Sequence, residues 1–241
     1  MTKYYYKKGP KKNIKKALRF LSLGILVSGL VLVSYVFAPL ISWQIYFAPV
    51  FASQNINYPI PKTTVIGDFQ VASLISQAGN SIALDYTNAQ NWFPSYNAVT
   101  GKPNIKSYTL SIKTLGIKDA IVSTLDNDLT KHLVNYGGTS VPPNKGNAVV
   151  FGHSTLPQLF DPKNYKTIFA TLYKVGIGDE IIVNTQGVTY RYKVESIIVV
   201  DPENTSVLEQ DQSDSFLTLI TCTPPGTVWK RLVIKSRLDK I

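Results

Sequence analysis

The C-terminal part of the chain, from Ile105 to Ile241, is predicted to be mainly β, as a sandwich or a barrel. Short apolar runs alternate with turn residues over this whole region, which is typical of all-β domains. The runs are rich in β-branched and large apolar residues, which favour a pleated, half-buried surface. The chain of 241 residues, 44% hydrophobic and 17% charged, is also long and apolar enough to fold around a sizeable core.

Six strands are predicted in this region. The sequence Thr185-Gln186-Gly187 separates two of them and indicates a hairpin with glycine in its turn. Short helical segments are expected around residues 125–136 and 165–173. The predicted strands are Tyr108–Ile112, Ala148–His153, Glu180–Asn184, Val188–Val200, Phe216–Thr223 and Arg231–Ser236.

The net charge of +10 is concentrated at the N-terminus. Of the 25 Lys and Arg residues, nine lie within residues 1–67, and no Asp or Glu occurs before Asp68. The rest of the chain carries 16 basic and 15 acidic residues and is therefore nearly neutral. Because a domain that binds nucleic acid presents positive charge on its folded surface, this distribution argues against nucleic acid as a partner.

An apolar segment, residues 17–37, follows this basic stretch. Beyond its third residue it contains only apolar or small residues, and about 20 such residues cross a bilayer as a helix. A cleaved signal peptide is the alternative, but its apolar region would be only about 7–15 residues long, and the nearby small-residue site Ala48–Ala52 is interrupted by Pro49. Since Lys and Arg stay in the cytoplasm, we predict an uncleaved signal anchor, with residues 1–16 as a cytoplasmic tail and everything after about Phe51 outside the cell membrane.

Residues 38–104 are predicted to form a stalk and an N-terminal appendage that packs on the β domain. From residue 52 onward they are rich in Asn, Ser, Gln, Pro and Tyr, with one helix-like patch at Phe69–Gln77. An aromatic cluster of Trp92, Phe93 and Tyr96 lies near their end. The sequence leaves open whether this appendage covers a functional site.

Cys222 is the single cysteine of the chain and lies at the end of the predicted strand Phe216–Thr223. Pro224 and Pro225 cannot donate to a sheet ladder and Gly226 suits a turn, so the strand should stop there and place Cys222 at the rim of a sheet. Exported proteins usually carry cysteines in pairs, and a single one indicates intermolecular pairing, a reactive thiol or, as the alternative, simple packing. The sequence has no Cys-x-x-Cys or paired Cys/His spacing suited to a structural zinc site or a redox dithiol.

A reactive cysteine needs a proton carrier and a donor for the oxyanion, and two residues meet these needs. His153 ends the predicted strand Ala148–His153, which also places it at a sheet rim. Arg231 opens the strand after Cys222, and a reversal of the chain between them brings both residues to the same rim. The guanidinium is permanently charged and offers five donors. The other histidine, His132, lies in a polar helical stretch and is expected to be a solvated side chain.

The run Thr218-Leu219-Ile220-Thr221-Cys222 has the form TLxTC and resembles the signature of the sortase family. The order His153, Cys222, Arg231 is also the sortase order, and the resemblance covers about Tyr108–Leu238. Further sequences look like family landmarks in the right order: Leu115-Gly116-Ile117, Gly138-Thr139 with Pro142-Pro143, Gly146-Asn147, Gly152-His153, Gly178-Asp179 and Lys230-Arg231-Leu232-Val233-Ile234.

This resemblance implies a closed β-barrel of sortase type and a cysteine transpeptidase on the outer face of a Gram-positive-type cell. The implied substrate is a protein with an LPxTG-like C-terminal sorting signal, and the implied acceptor is an amine of a cell-wall precursor or a pilin lysine. Cys222 would attack the carbonyl after the threonine of the signal, His153 would transfer protons, and Arg231 would stabilise the oxyanion or orient the substrate. No metal ion or organic cofactor is needed for this covalent chemistry.

Three residues are expected to bind the substrate. By the same resemblance, Thr221 would help to line the oxyanion pocket. Thr223–Lys230 is a candidate wall of the substrate groove, with Val228 and Trp229 as its apolar lining. The alternative for Trp229 is a plain core position.

The sequence combines features of more than one sortase class. The short spacing from Cys222 to Arg231 and the Thr-Pro-x-Gly loop resemble class C enzymes, which polymerise pilins. Those enzymes usually carry a second, C-terminal membrane helix and an Asp-Pro-aromatic motif before the histidine, and this sequence shows neither, since Asp161-Pro162 comes after His153. An anchoring or housekeeping role is therefore favoured over pilus assembly.

Two other functions are compatible with parts of the sequence. An L,D-transpeptidase that cross-links the cell wall also pairs a cysteine with a histidine, but its cysteine is expected in a Ser-His-Gly-Cys-like run, whereas Cys222 lies between Thr221 and Thr223. A non-catalytic, membrane-tethered β-barrel that binds wall peptides is disfavoured because His153, Cys222 and Arg231 are all present.

Overall fold

The computed structural model describes residues 14–42, 85–93 and 104–239. The chain divides into two units, Met1–Ala48 and Pro49–Ile241. The expected helix-like patch at Phe69–Gln77, most of the expected stalk and Tyr96 lie outside the described residues.

The described part of the first unit is one helix, α1, at Ile14–Ser42. Its central stretch, Leu18–Tyr35, is apolar enough to cross a membrane, by length and composition. At about 1.5 Å of rise per residue, these residues span roughly 27 Å, close to the ~30 Å hydrocarbon core of a bilayer. The helix therefore contains the apolar segment 17–37 that the sequence predicts as an anchor.

The described part of the second unit forms a closed barrel of eight strands. The strands are β1 (Ser107–Ile112), β2 (Ile117–Ser123), β3 (Leu133–Asn135), β4 (Gly146–Phe151), β5 (Glu180–Thr185), β6 (Val188–Val200), β7 (Ser215–Thr223) and β8 (Lys230–Leu238). Around the barrel their order is β1-β2-β3-β4-β7-β8-β6-β5, and β5 pairs with β1 to close it. The pairs β2–β3 and β4–β7 are parallel, and the other pairs are antiparallel. The predicted mainly β class and closed barrel are confirmed.

All six predicted strands are present, with bounds that differ by at most two residues. The hairpin predicted at Thr185-Gln186-Gly187 joins β5 and β6, since Thr185 pairs with Val188. Its two turn residues, Gln186 and Gly187, have φ angles of 53° and 80°. Positive φ at both positions is characteristic of a type I′ turn, whose twist matches that of the flanking strands.

Two strands, β2 and β3, are not predicted from the sequence. Lys118 and Asp119 interrupt the apolar pattern of β2, and β3 has only three residues, too few to show a period of two. The helices expected at 125–136 and 165–173 are wrong. β3 occupies the end of the first segment, and the second consists of turns that lead into a short 3-10 helix at Leu172–Lys174.

Apolar side chains fill the barrel interior and also form a second cluster, the outer cluster, on the outside of β4, β7 and β8. On β7, Leu217 and Leu219 belong to the interior, whereas Ile220 and Cys222 belong to the outer cluster. This division follows from the alternation of side chains along a strand. Residues 85–93 contribute Trp92 and Phe93 to the outer cluster. This segment therefore packs on the outside of the barrel.

Gly152 is tightly enclosed directly after β4. A Cβ atom at this position would overlap Phe169 Cδ2 and would lie 2.6 Å from Leu133 Cδ2. Both neighbours belong to the interior core, which cannot yield without cost. A glycine is therefore required beside His153.

We expect Gly152→Ala to lower the free energy of unfolding by about 1–3 kcal/mol, the usual cost of overpacking a core. Gly176→Ala is the matched control, because a Cβ atom at Gly176 meets nothing within 4 Å. Thermal unfolding of the full-length chain in detergent measures both effects. Equal melting temperatures for the two variants would show that Gly152 is not closely packed.

Candidate active site

Three neighbouring strands, β4, β7 and β8, bring Cys222, His153 and Arg231 together at one end of the barrel. Cys222 on β7 lies directly opposite Arg231 on β8. Phe151, the last residue of β4, lies opposite Ile220, so the same parallel register places His153 beside Cys222. Side chains alternate along a strand, and Phe151, Ile220 and Cys222 all belong to the outer cluster. The three candidate residues therefore share the outer face of the barrel.

Cys222 is a free cysteine, and only 5% of its surface is exposed. Burial raises the pKa of its thiol, and the positive charge of Arg231 opposes this shift. The cause is the loss of water that would otherwise solvate a thiolate. In this arrangement the sulfur is held as a neutral thiol.

His153 is half-buried and lies two residues beyond the end of β4. Desolvation lowers the pKa of its imidazole, and the carboxylates of Asp85 and Asp128 oppose this shift. The neutral imidazole is therefore favoured. Loss of water drives Cys222 and His153 toward the neutral pair and away from a thiolate–imidazolium pair.

Arg231 is almost completely buried, with 1% of its surface exposed. Its Nη1 donates to the carbonyl oxygens of Val228 at 2.9 Å and Lys230 at 3.2 Å, and its Nη2 donates to that of Trp92 at 3.1 Å. The guanidinium carbon lies 5.4 Å from the ring centroid of Trp92 and 5.9 Å from that of Tyr86. Within the described parts of the chain, no carboxylate pairs with this guanidinium and its Nε has no hydrogen-bond partner. Carbonyl dipoles and aromatic faces hold the buried charge.

Residues Asp85–Phe93, the cover segment, lie across this site. Main-chain hydrogen bonds join the segment to the loop before β3. The Ala89 amide donates to the Asn127 carbonyl at 3.0 Å, and the Leu129 amide donates to the Thr87 carbonyl at 2.9 Å. The cover segment is therefore attached to the barrel by backbone as well as by side chains.

Trp92 is the residue of the cover segment that contacts two of the candidate residues. Its ring is fully buried, lies 5.3 Å from the Phe151 ring and 6.0 Å from the His153 ring, and also packs on Arg231. One side chain thus contacts both His153 and Arg231. The structure answers the question that the sequence leaves open, because this part of the appendage does cover the site.

The expected substrate-binding residues lie in different environments. Thr221 is buried, and its hydroxyl donates to the Gly152 carbonyl at 2.7 Å. Val228 is half-buried against the outer cluster, and its carbonyl is a partner of Arg231. Trp229 is 61% exposed, which excludes the alternative of a core position.

Three further residues contact this site without being singled out as functional by the sequence: Tyr86, Trp92 and Ser154. Trp92 is recognisable only as a member of an aromatic cluster. Ser154 follows His153 directly, and its Oγ donates to the Cys222 carbonyl at 2.7 Å. A serine beside a histidine carries no sequence signal of its own, so this contact is visible only in the structure.

His132 is not the solvated side chain of a helix that the sequence suggests. Its Nε2 lies 3.1 Å from Asp126 Oδ1, and its Nδ1 lies 3.1 Å from the Leu133 carbonyl oxygen. Only 15% of its side chain is exposed. The short strand β3 begins directly after His132, which places the ring against the barrel. The contact with Asp126 then connects this histidine to the preceding loop.

An open acidic cleft of about 550 Å³ lies between the cover segment and the loop before β3. Its carboxylates are those of Asp85, Asp126 and Asp128. Hydrogen bonds from the Thr87 hydroxyl and amide lower the pKa of Asp85, which is therefore negative at neutral pH. The charges of Asp85 and Asp128 act on His153, so the cleft provides negative potential beside the imidazole.

Comparison with protein families accounts for this architecture. Residues 110–239, more than half of the chain, match the family described as the sortase domain. The chain belongs to the sortase family. The matched region of this sortase begins in β1, extends through β8, and includes His153, Cys222 and Arg231.

Two curated relatives illustrate the extent of the similarity. Sortase SrtE1 of Streptomyces coelicolor is 27% identical over 175 residues, which cover 68% of this sortase and 47% of the relative. Sortase A of Listeria monocytogenes is 30% identical over 96 residues, which cover 40% of each chain. This sortase spans about half, or less, of the length of the curated relatives it matches.

Solved structures show the same barrel. The pilus-related sortase C of Group B Streptococcus superposes with a TM-score of 0.51 at 23% identity, over 70% of this sortase and 87% of that chain. Sortase A from Corynebacterium diphtheriae superposes with a TM-score of 0.50 at 23% identity, over 70% of this sortase and 82% of that chain. At these identities the likeness shows the fold.

Removal of the Trp92 ring should make the thiol of this sortase more reactive. Trp92 and Cys222 belong to the same buried cluster. In Trp92→Ala water should enter this cluster, and we expect the pKa of the Cys222 thiol to fall toward that of an ordinary cysteine. Alkylation by iodoacetamide at neutral pH should become faster by about threefold for each unit of pKa, because the gain in thiolate is partly offset by lower nucleophilicity. Mass spectrometry of the full-length chain in detergent measures this rate.

Phe216→Ala is the matched control for this experiment. Phe216 is also a buried aromatic residue on β7, but it lies at the opposite end of the strand from Cys222. A general loosening of the barrel would accelerate alkylation equally in both variants. That result would contradict a specific role of Trp92 in covering the thiol.

Proposed function

We propose that this sortase is a membrane-anchored cysteine transpeptidase. It cleaves an LPxTG-like C-terminal sorting signal and transfers the protein to an amine acceptor, either a cell-wall precursor or a pilin lysine. The observation that carries the proposal is the alignment of Cys222, His153 and Arg231 on three adjacent strand ends. A thiol, an imidazole and a guanidinium on one face supply a nucleophile, a proton carrier and an oxyanion donor.

In the first half-reaction, the thiol proton of Cys222 moves to the imidazole of His153, and the sulfur attacks the carbonyl carbon after the threonine of the signal. A C–S bond forms and the C–N bond of the same carbonyl breaks. The imidazolium donates its proton to the departing amine. A thioester between Cys222 and the sorted protein is left.

In the second half-reaction, the acceptor amine attacks this thioester. A C–N bond forms, the C–S bond breaks, and His153 accepts a proton from the amine. The imidazolium then returns this proton to the sulfur of Cys222. Both groups end in the neutral forms that their burial favours, so the site is ready for another cycle.

Arg231 is proposed to stabilise the oxyanion in both half-reactions. Its Nη2 donates to the Trp92 carbonyl, an acceptor of the same kind as the scissile carbonyl. The substrate can take over this donor only when the cover segment moves away. That movement also returns water to Cys222 and His153, which lowers the thiol pKa and raises the imidazole pKa toward the reactive ion pair.

The loop between β7 and β8 is proposed to line the substrate groove with Val228 and Trp229. Trp229 is 61% exposed, and Leu156, in the loop after β4, is 37% exposed. A Cβ atom at Gly226 would lie 2.9 Å from Leu156 Cδ2, so the two loops are in close contact. Exposed apolar side chains beside Cys222 suit a peptide that carries apolar residues. Thr221, the third expected substrate-binding residue, donates its hydroxyl to the Gly152 carbonyl beside His153.

The N-terminal helix supports a location at the cell membrane. The apolar stretch Leu18–Tyr35 is long enough to span a bilayer. In the proposed topology, residues 1–16 are cytoplasmic, residues 17–37 span the membrane, residues 38–104 form the stalk and appendage, and residues 105–241 form the extracytoplasmic catalytic domain.

We expect Cys222→Ala to keep its fold and lose transpeptidation. The substitution removes the sulfur that forms the thioester but only a small part of the outer cluster. The assay follows cleavage of LPxTG-type peptides by the full-length chain in detergent, with a panel of amines that includes glycine peptides and lysine, and records the transfer product by mass spectrometry. Equal turnover by the variant would remove the thiol from the mechanism.

Arg231→Lys should reduce kcat/KM by about a hundred- to a thousandfold, the usual loss on removal of an oxyanion donor. Lysine keeps the charge but lacks the planar fork that serves several acceptors at once. Arg237→Lys is the matched control, because Arg237 is also on β8 but is exposed and pairs with Glu195. A full rate in Arg231→Lys would show that a point charge is sufficient.

A further inference from the structure

The backbone of His153 lies beyond the regular part of the sheet. β4 ends at Phe151, whereas its neighbour β7 continues to Thr223. The amide of Gly152 still donates to the Ile220 carbonyl, at 3.2 Å, and the carbonyl of His153 accepts from the Phe169 amide at 3.0 Å. Regular pairing with the strand that carries Cys222 therefore stops just before the histidine.

Ser154 restores a connection at the next position. In a parallel ladder, the amide that follows the Gly152–Ile220 bond would be that of Ser154, and its acceptor would be the Cys222 carbonyl. The Ser154 hydroxyl makes this bond instead, with Oγ 2.7 Å from the Cys222 carbonyl oxygen. A side chain thus takes the place of a backbone donor, and its acceptor belongs to the candidate nucleophile itself.

Thr221 makes a matching connection in the opposite direction. Its hydroxyl, on β7, donates to the carbonyl of Gly152, at 2.7 Å. The residue before Cys222 therefore bonds to the residue before His153, and the residue after His153 bonds to Cys222. The two hydroxyl hydrogen bonds thus connect the chain around His153 to the chain around Cys222 at two points.

We propose that Ser154 is a positioning residue that holds His153 in register with Cys222 for proton transfer. This inference rests on the proposed transpeptidase function, in which the imidazole exchanges protons with the thiol and with the two amines. Ser154 touches no reacting atom. It acts through the main chain, and Thr221 provides the second point of attachment.

The first test compares Ser154→Ala, Ser154→Thr and Ser236→Ala in the peptide transfer assay on the full-length chain. Ser236 is the matched control, because its Oγ also donates to a carbonyl on β7, that of Leu217, at 2.7 Å. We expect Ser154→Ala to lower kcat by about three- to tenfold with KM unchanged, as expected for loss of one hydrogen bond. Ser154→Thr, which keeps the hydroxyl, should restore the rate, and Ser236→Ala should lower only the melting temperature.

The second test needs no substrate. The chain has two histidines, so selective labelling of histidine with carbon-13 gives two imidazole signals, one of which belongs to His153. In Ser154→Ala we expect the titration midpoint of His153 to rise toward the ordinary value of about 6.5, because a released loop is better solvated. Ser236→Ala should leave the His153 midpoint unchanged.

The two tests separate the inference from the proposed function. A wild-type chain that transfers no sorting peptide would overturn the transpeptidase proposal, and the titration would still decide whether Ser154 positions His153. Unchanged kcat and an unchanged His153 midpoint in Ser154→Ala would overturn the inference. So would a loss of rate that the threonine variant does not restore.

Discussion

The buried guanidinium of Arg231 constrains the whole of this end of the barrel. A charge removed from water costs several kcal/mol unless other dipoles replace the lost solvation. Carbonyls of Val228 and Lys230, from the chain just before and within β8, supply part of this replacement. The carbonyl of Trp92, 139 residues away in sequence, and the rings of Trp92 and Tyr86 supply a further part. The guanidinium of Arg231 therefore binds both the β7–β8 loop and the cover segment. Neither can move away unless another acceptor replaces its carbonyl on the guanidinium.

The same exclusion of water sets the protonation of the neighbouring groups. Burial raises the pKa of Cys222 and lowers that of His153, so the covered site stores a thiol and an imidazole that are both neutral. In the proposed reaction, a peptide carbonyl that replaces the Trp92 carbonyl on Arg231 has to displace the cover segment first. Substrate access and thiol activation then occur together, because the water that enters on opening reverses the pKa shifts of both Cys222 and His153.

The parts of this arrangement that depend on the residue types of neighbouring positions could be predicted from the sequence. The apolar run that ends in two prolines and a glycine predicts a strand that stops just after Cys222, as β7 does. Arg231 is only nine residues further along the chain, so its pairing with Cys222 across β7 and β8 could also be predicted. The hydrogen bond from Arg231 to Trp92 could not be predicted, because it uses a main-chain carbonyl that every residue type possesses. β3 could not be predicted from the sequence either, since it pairs through only two residues on each side.

The proposed chemistry is located where the β ladder ends, and this placement has a physical reason. Within a ladder, each backbone bond is locked by its neighbours, which gives Cys222 and Arg231 a fixed separation across β7 and β8. In the proposed reaction His153 has a different task, since it would serve a departing amine and then an incoming one at different positions. A main chain held by the hydroxyls of Ser154 and Thr221 is fixed in register but free of the ladder. In the proposed reaction the sheet would thus hold the nucleophile and the oxyanion donor at a fixed separation, and the end of β4 would hold the proton carrier outside the regular ladder.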